Sequence, residues 1–216
     1  MWWKILTGLL IFTVLVIVFL VPPPQKELGG ISRIFFFHVP VAWVTVLALF
    51  FAMINSIQYL KRKEPVFDIR AAVASQLGFL FASLATFSGA VFARHTWGSY
   101  WNWDPRETSI FILLLIYGAY LALRSAIAEE NRKANLSAVY SIIAFITVPF
   151  LVFVVPRVYH SLHPSDSVIN TKAGFQMPPS ILMIFLCSLS GFSLLFFWMY
   201  ELEVRIIRLR KRLKKT

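Results

Sequence analysis

One cysteine, Cys187, occurs in 216 residues. It allows no intramolecular disulfide, no CxxC redox pair and no CxxCH haem-attachment site, so the chain is not itself a c-type cytochrome. Acidic residues are scarce, ten Asp and Glu against 21 Lys and Arg. No apolar run carries a charge near its middle, which argues against an ion- or proton-coupled pump. There is no P-loop, no HExxH and no Cys/His zinc spacing, so neither ATP held in that way nor a zinc centre is expected.

Apolar sequence is abundant instead. Hydrophobic residues make up 58% of the chain and the mean hydropathy is +0.72, values typical of a multi-span membrane protein. Six runs have about the 20 residues that cross hydrocarbon. They span about 2–21, 38–60, 69–92, 105–127, 136–155 and 179–201. The expected fold is an all-α integral membrane protein, one domain over 1–216 with six transmembrane helices. The first run is too long for a signal-peptide core and lacks an A-x-A site, so it is expected to be retained.

Six spans put both ends of the chain on one side. Fifteen of the 21 Lys and Arg fall on that side and six on the other, so the positive-inside rule makes both termini cytoplasmic. The net charge of +11 lies in loops and in the tail 202–216, which argues against nucleic acid as partner. The tail reads most simply as an anchor on the lipid surface, with docking to a partner as the alternative. In the third run Ala74, Gly78, Ala82, Ala85, Gly89 and Ala93 form a stripe of small residues, read as close helix packing.

The stretch Trp97-Gly98-Ser99-Tyr100-Trp101-Asn102-Trp103-Asp104-Pro105-Arg106-Glu107-Thr108 stands on the outer side and holds three of the seven Trp. At helical spacing Trp97 and Trp101 share a face. Asp104, Pro105 and Glu107 have the pattern of an N-cap, a first helical residue and a capping box. An interfacial aromatic belt and a shelf for a planar ligand fit the composition equally. All four histidines (His38, His95, His160, His163) also fall on the outer side. Imidazoles flanking an aromatic shelf are what a bis-histidine haem site needs, with arginine to pair the anionic propionates.

The outer stretch, loop 93–108, resembles the tryptophan-rich WWD signature (WGxxWxWDxR) of haem-handling membrane proteins of cytochrome c maturation. With the R-x-x-x-x-H-V-P string (Arg33, His38, Val39, Pro40), the Leu-His of the last outer loop (Leu162, His163) and six spans, the chain is most similar to the CcmC family. The resemblance covers nearly the whole chain. It implies His38 and His163 as axial haem ligands, Trp97, Trp101, Trp103 and Asp104 as the haem platform, and, by their place in the motifs, Arg33 and Arg106 as candidate propionate contacts. It implies haem b, transiently bound, handed to a haem chaperone of the CcmE type. It also implies partnership with ABC transporter subunits like CcmA and CcmB and a small CcmD-like protein, in a bacterial or archaeal cytoplasmic membrane. No bond need be made by the chain itself, so it is not read as an enzyme. His160, three residues from His163, can stand in for it if the loop is drawn differently. The Asp-Pro-Arg-Glu-Thr ending is also similar to CcsA-type cytochrome c synthase subunits, which are longer and have more spans. A haem permease and a cytochrome b-like electron carrier are the other readings. Both call for histidines within the spans.

Overall fold

A computed structural model describes residues 2–21, 28–163, 169–170, 174–175 and 178–213. The proline run 22–24, Lys26, Lys172 and the last three residues of the basic tail lie outside the described residues.

The chain is a bundle of long helices: α1 (Trp2–Leu20), α2 (Phe35–Arg62) after a 3₁₀ stretch (Gly29–Ile34), α3 (Pro65–Trp97), α4 (Pro105–Ala126), α5 (Glu130–Pro149) and α7 (Pro179–Leu213). A π turn (Phe150–Val154) and the short α6 (Val155–Val158) extend α5. The strands β1 (Ile169–Asn170) and β2 (Gly174–Phe175) make a two-residue hairpin. Among the described residues, six helical rods are long and apolar enough to cross a membrane, as the sequence predicts. One end of the bundle carries the tryptophan loop; the other carries most of the Lys and Arg.

The antiparallel pair α2 and α3 is the centre. The small-residue stripe on α3 explains the close approach, since a Cβ added at Gly78 would come within 2.4 Å of Leu49 Cδ2. On one side α7 joins this pair through Val44, Ala48, Val73, Phe81 and Phe196, and α1 packs beyond α7 through Val14, Val18, Ile184 and Phe185. On the other side α4 and α5 close over Leu49, Leu113, Tyr117, Ala144 and Val148. Burying each such side chain contributes about 1.5–3 kcal/mol. Large apolar side chains such as Phe87, Leu115 and Ile146 stay exposed and form the face presented to lipid.

Two prolines shape the aromatic end. Pro40 lies inside α2 and cannot donate to the carbonyl of Phe36, four residues back. Ser188 of α7 donates its hydroxyl to that carbonyl instead, which ties α7 to the turn that carries His38. Pro149 precedes the π turn of α5. Such wide turns are frequent at functional sites, and this one leads into the segment that ends at His163.

Candidate functional site

The tryptophan loop is set by its backbone. Helix α3 stops at Trp97 because Gly98 adopts a left-handed conformation, φ +82. Residues 98–104 are not helical, so Trp97 and Trp101 do not share a helix face as their spacing suggests. Trp97 projects from the last residue of α3. Trp101 packs edge-on against Trp103 at 5.7 Å and against Phe111 at 5.9 Å between ring centroids. Trp103 has φ +58, a strained value for a bulky residue, and its side chain is largely exposed. Trp101 and Trp103 thus form an edge-to-face pair, while Trp97 packs edge-on against Phe92 of its own helix at 5.8 Å. Arg94 reinforces the loop, donating to the Gly98 carbonyl and stacking over Tyr100.

Asp104 is the junction. It is buried, 4% exposed, and caps α4 by accepting from the Arg106 amide at 2.9 Å. The capping box with Glu107 forms as the sequence predicts, and Glu107 also takes the Asn102 amide at 2.7 Å. The same Asp104 carboxylate reaches across to residues 161–163. It accepts the Ser161 hydroxyl at 2.9 Å and the Leu162 amide at 2.6 Å. It faces His163 Nδ1 at 3.1 Å. Burial pushes the Asp104 carboxyl up, but the amides of Arg106 and Leu162 and the Ser161 hydroxyl outweigh it and hold the group below its ordinary value. Asp104 is therefore ionised and can only accept, so His163 Nδ1 carries the proton and Nε2 keeps its lone pair. Trp97 stands edge-on to the His163 ring, centroids 4.7 Å apart.

His38 receives the same treatment by other means. It lies in the first turn of α2, with Nδ1 3.0 Å from Ser88 Oγ on α3. The Ser88 hydroxyl hydrogen is directed at the carbonyls of Leu84, at 2.8 Å, and Ala85, at 3.1 Å. Ser88 is thus the acceptor and His38 Nδ1 the donor, which leaves the lone pair of the neutral ring on Nε2. Gly89 lets α3 pass this close, since a Cβ there would lie 3.0 Å from His38 Cε1. Gly89 precedes Trp97 by eight residues, about 12 Å of helix axis, so His38 sits about two turns deeper than the rim.

Arg106, in the first turn of α4, is close enough to act electrostatically on both His38 and His163. His163 and His38 also interact with each other in this way. Arg33 is placed differently: its guanidinium donates to the carbonyls of Val18, at 2.9 Å, and Val21, at 3.0 Å, at the end of α1. His95 and His160 are exposed. Sequence reasoning missed Ser88, Gly89 and Ser161, the residues that orient or admit the two rings. Gly89 had a signal in the small-residue stripe; the serines had none.

Fold and site together define a polytopic α-helical membrane protein that presents two oriented imidazoles and an arginine behind an aromatic rim. A family model described as CcmC, heme exporter protein C, matches residues 1–216. The chain belongs to the CcmC family. It is 32% identical over 192 residues to heme exporter protein C of Bradyrhizobium diazoefficiens, covering 89% of this chain and 72% of that protein. It is 29% identical to a putative cytochrome c biosynthesis ccmC-like mitochondrial protein of Arabidopsis thaliana, covering 95% of this chain and 75% of the relative. Similarity to the cytochrome c biogenesis protein CcsA of Fagopyrum esculentum reaches 37% identity, but over 55% of this chain and 36% of that protein.

Proposed function

We propose that the protein binds haem at the aromatic end of the bundle, between His38 and His163, and delivers it to a haem chaperone. The function it serves is haem handling in cytochrome c maturation, the work of its family. Haem is the cargo here, an iron macrocycle whose two axial positions accept neutral imidazole nitrogen. The observation that carries the reading is that both rings have Nδ1 engaged by an acceptor, which leaves the lone pair of each neutral imidazole on Nε2.

The other groups fall into roles around that pair. Trp97, Trp101 and Trp103 supply apolar ring edges for the macrocycle, and Asp104 orients His163 from below. Arg106 supplies the positive charge that pairs a propionate. Arg33, bonded to the end of α1, supports that role less well. The chain itself makes no bond to the cargo beyond coordination, so it acts as a carrier and not as an enzyme. The rim faces the extracytoplasmic side of a cytoplasmic membrane with both termini inside, on the charge bias of the loops. Handover is to a chaperone of the CcmE type, in company with CcmA-, CcmB- and CcmD-like subunits. The cargo is haem b, transiently held.

The test is an absorption spectrum of the purified, haem-supplemented protein beside His38→Ala and His163→Ala. The expected result is a low-spin six-coordinate spectrum that turns five-coordinate or disappears in each variant. Full haem occupancy in the double alanine variant overturns the proposal.

A further inference from the structure

Helix α7 carries two apolar faces in its C-terminal half. One, with Phe196, Tyr200, Val204 and Ile207, packs against α2 and α3. At about 100° per residue, Leu202, Ile206 and Leu209 lie on the opposite side of the helix. Leu202 is 47% and Leu209 57% exposed. The helix runs unbroken from Pro179 to Leu213. About 20 residues from Pro179 span the hydrocarbon, which ends just before Glu201. Leu209 is then about 15 Å further along the axis, past a headgroup layer about 5–7 Å deep. The extension does not lie down on the bilayer, because Lys211 pairs with Glu130 at the start of α5, at 2.9 Å. Lipid therefore does not cover Leu209.

The rim of this stripe is mostly basic. Arg205 and Arg212 border it on one side, and Arg210 with Glu203 beside it on the other, all exposed. A second copy of the same helix would set Arg against Arg, so self-pairing is disfavoured. Anchors at i, i+4 and i+7 with a basic border are what an apolar groove with an acidic rim receives. We propose that this face of α7 docks into such a groove on a cytoplasmic protein. The inference rests on the cytoplasmic orientation proposed above and is independent of the haem site.

The experiment places benzoylphenylalanine at position 209 (Leu209→benzoylphenylalanine) of the full chain in living cells, with Ile207→benzoylphenylalanine as the control on the side packed against the core. The expected result is one light-dependent adduct at 209, absent at 207, whose cross-linked peptide is rich in Asp, Glu and apolar residues. Arg205→Glu with Arg212→Glu is expected to cut its yield about tenfold, a typical hot-spot loss, and to leave the haem spectrum unchanged. Reversing the cross-linked acids to Lys restores it. An adduct with lipid or with a second copy of the chain, no adduct, or a yield indifferent to charge reversal overturns the proposal. Orientation is read separately, by a membrane-impermeant maleimide on Leu209→Cys in a Cys187→Ser background. Labelling only after permeabilisation upholds the cytoplasmic side, and labelling of intact cells overturns both the orientation and the docking face.

Discussion

The Asp104 carboxylate takes the Leu162 amide at 2.6 Å and faces His163 Nδ1 at 3.1 Å, so one side chain caps α4 and also sets the tautomer of a candidate ligand 59 residues away. Asp104→Asn separates the two jobs. Asparagine caps a helix about as well as aspartate, but it is neutral and its amide nitrogen donates where the carboxylate accepts. Loss of such an orienting partner typically costs about 10–100-fold in ligand affinity. Haem titration of Asp104→Asn is expected to show that loss with an unchanged circular dichroism spectrum. Parent-like affinity would mean that His163 needs no carboxylate behind it.

Acid should reach His163 late. Burial depresses its pKa, Arg106 pushes the same way and Asp104 opposes, leaving the ring below its ordinary value of 6.5. The folded protein refuses a proton that the unfolded chain accepts near 6.5, so this group's contribution to stability falls as pH drops below that value. Between 6.5 and the lower folded pKa the imidazole stays neutral and able to ligate. A Soret titration is expected to hold its six-coordinate form below pH 6.5 before losing it. In Arg106→Gln the depressing charge is gone, and the loss should move to higher pH. A midpoint that moves lower, or not at all, contradicts the placement of Arg106 beside His163.

Gly89 is where α3 touches His38. A side chain there meets the imidazole at Cε1, 3.0 Å from an added Cβ, and the neighbour is a ring held by Ser88 on the same helix. Gly89→Val is expected to displace His38 and produce a five-coordinate haem spectrum like that of His38→Ala. Overpacking of this kind costs about 1–3 kcal/mol, so the bundle should still fold, as checked by its elution in detergent. Gly89→Ala should give the same change in weaker form.

How far the sequence foretold this depends on the range of the interaction. The six spans follow from hydropathy, and the Asp104 capping box follows from residues three apart. The Trp97–Trp101 pairing failed for a local reason: Gly98 takes a left-handed conformation and ends the helix between them. Arg33 sits in the motif but bonds to α1, a choice made by tertiary packing. Ser88 and Ser161 meet their partners across 50 and 57 residues, a separation no spacing rule reaches. The tail from 202 onward reads as leaving the membrane. Its Leu, Arg, Lys and Glu are good helix formers, and α7 continues through them to Leu213.

Far from the rim, Asp68 in the first turn of α3 takes a two-pronged contact from Arg124 in the last turn of α4, at 2.7 and 3.0 Å. Their side chains are 12% and 16% exposed, so neither charge is well hydrated, and Tyr120 lies under the guanidinium at 6.0 Å. Removing one partner of such a pair leaves a charge without compensation and costs about 3–5 kcal/mol, whereas replacing both with apolar residues is often neutral. Asp68→Asn or Arg124→Leu alone is expected to lower the thermal midpoint in detergent, and the double variant Asp68→Leu with Arg124→Leu to recover most of it. Because the pair is at the basic end, the haem spectrum should not change in any of the three. A spectrum that did change would mean that strain at the α3–α4 base reaches Trp97 and Asp104 through the two helices that end there.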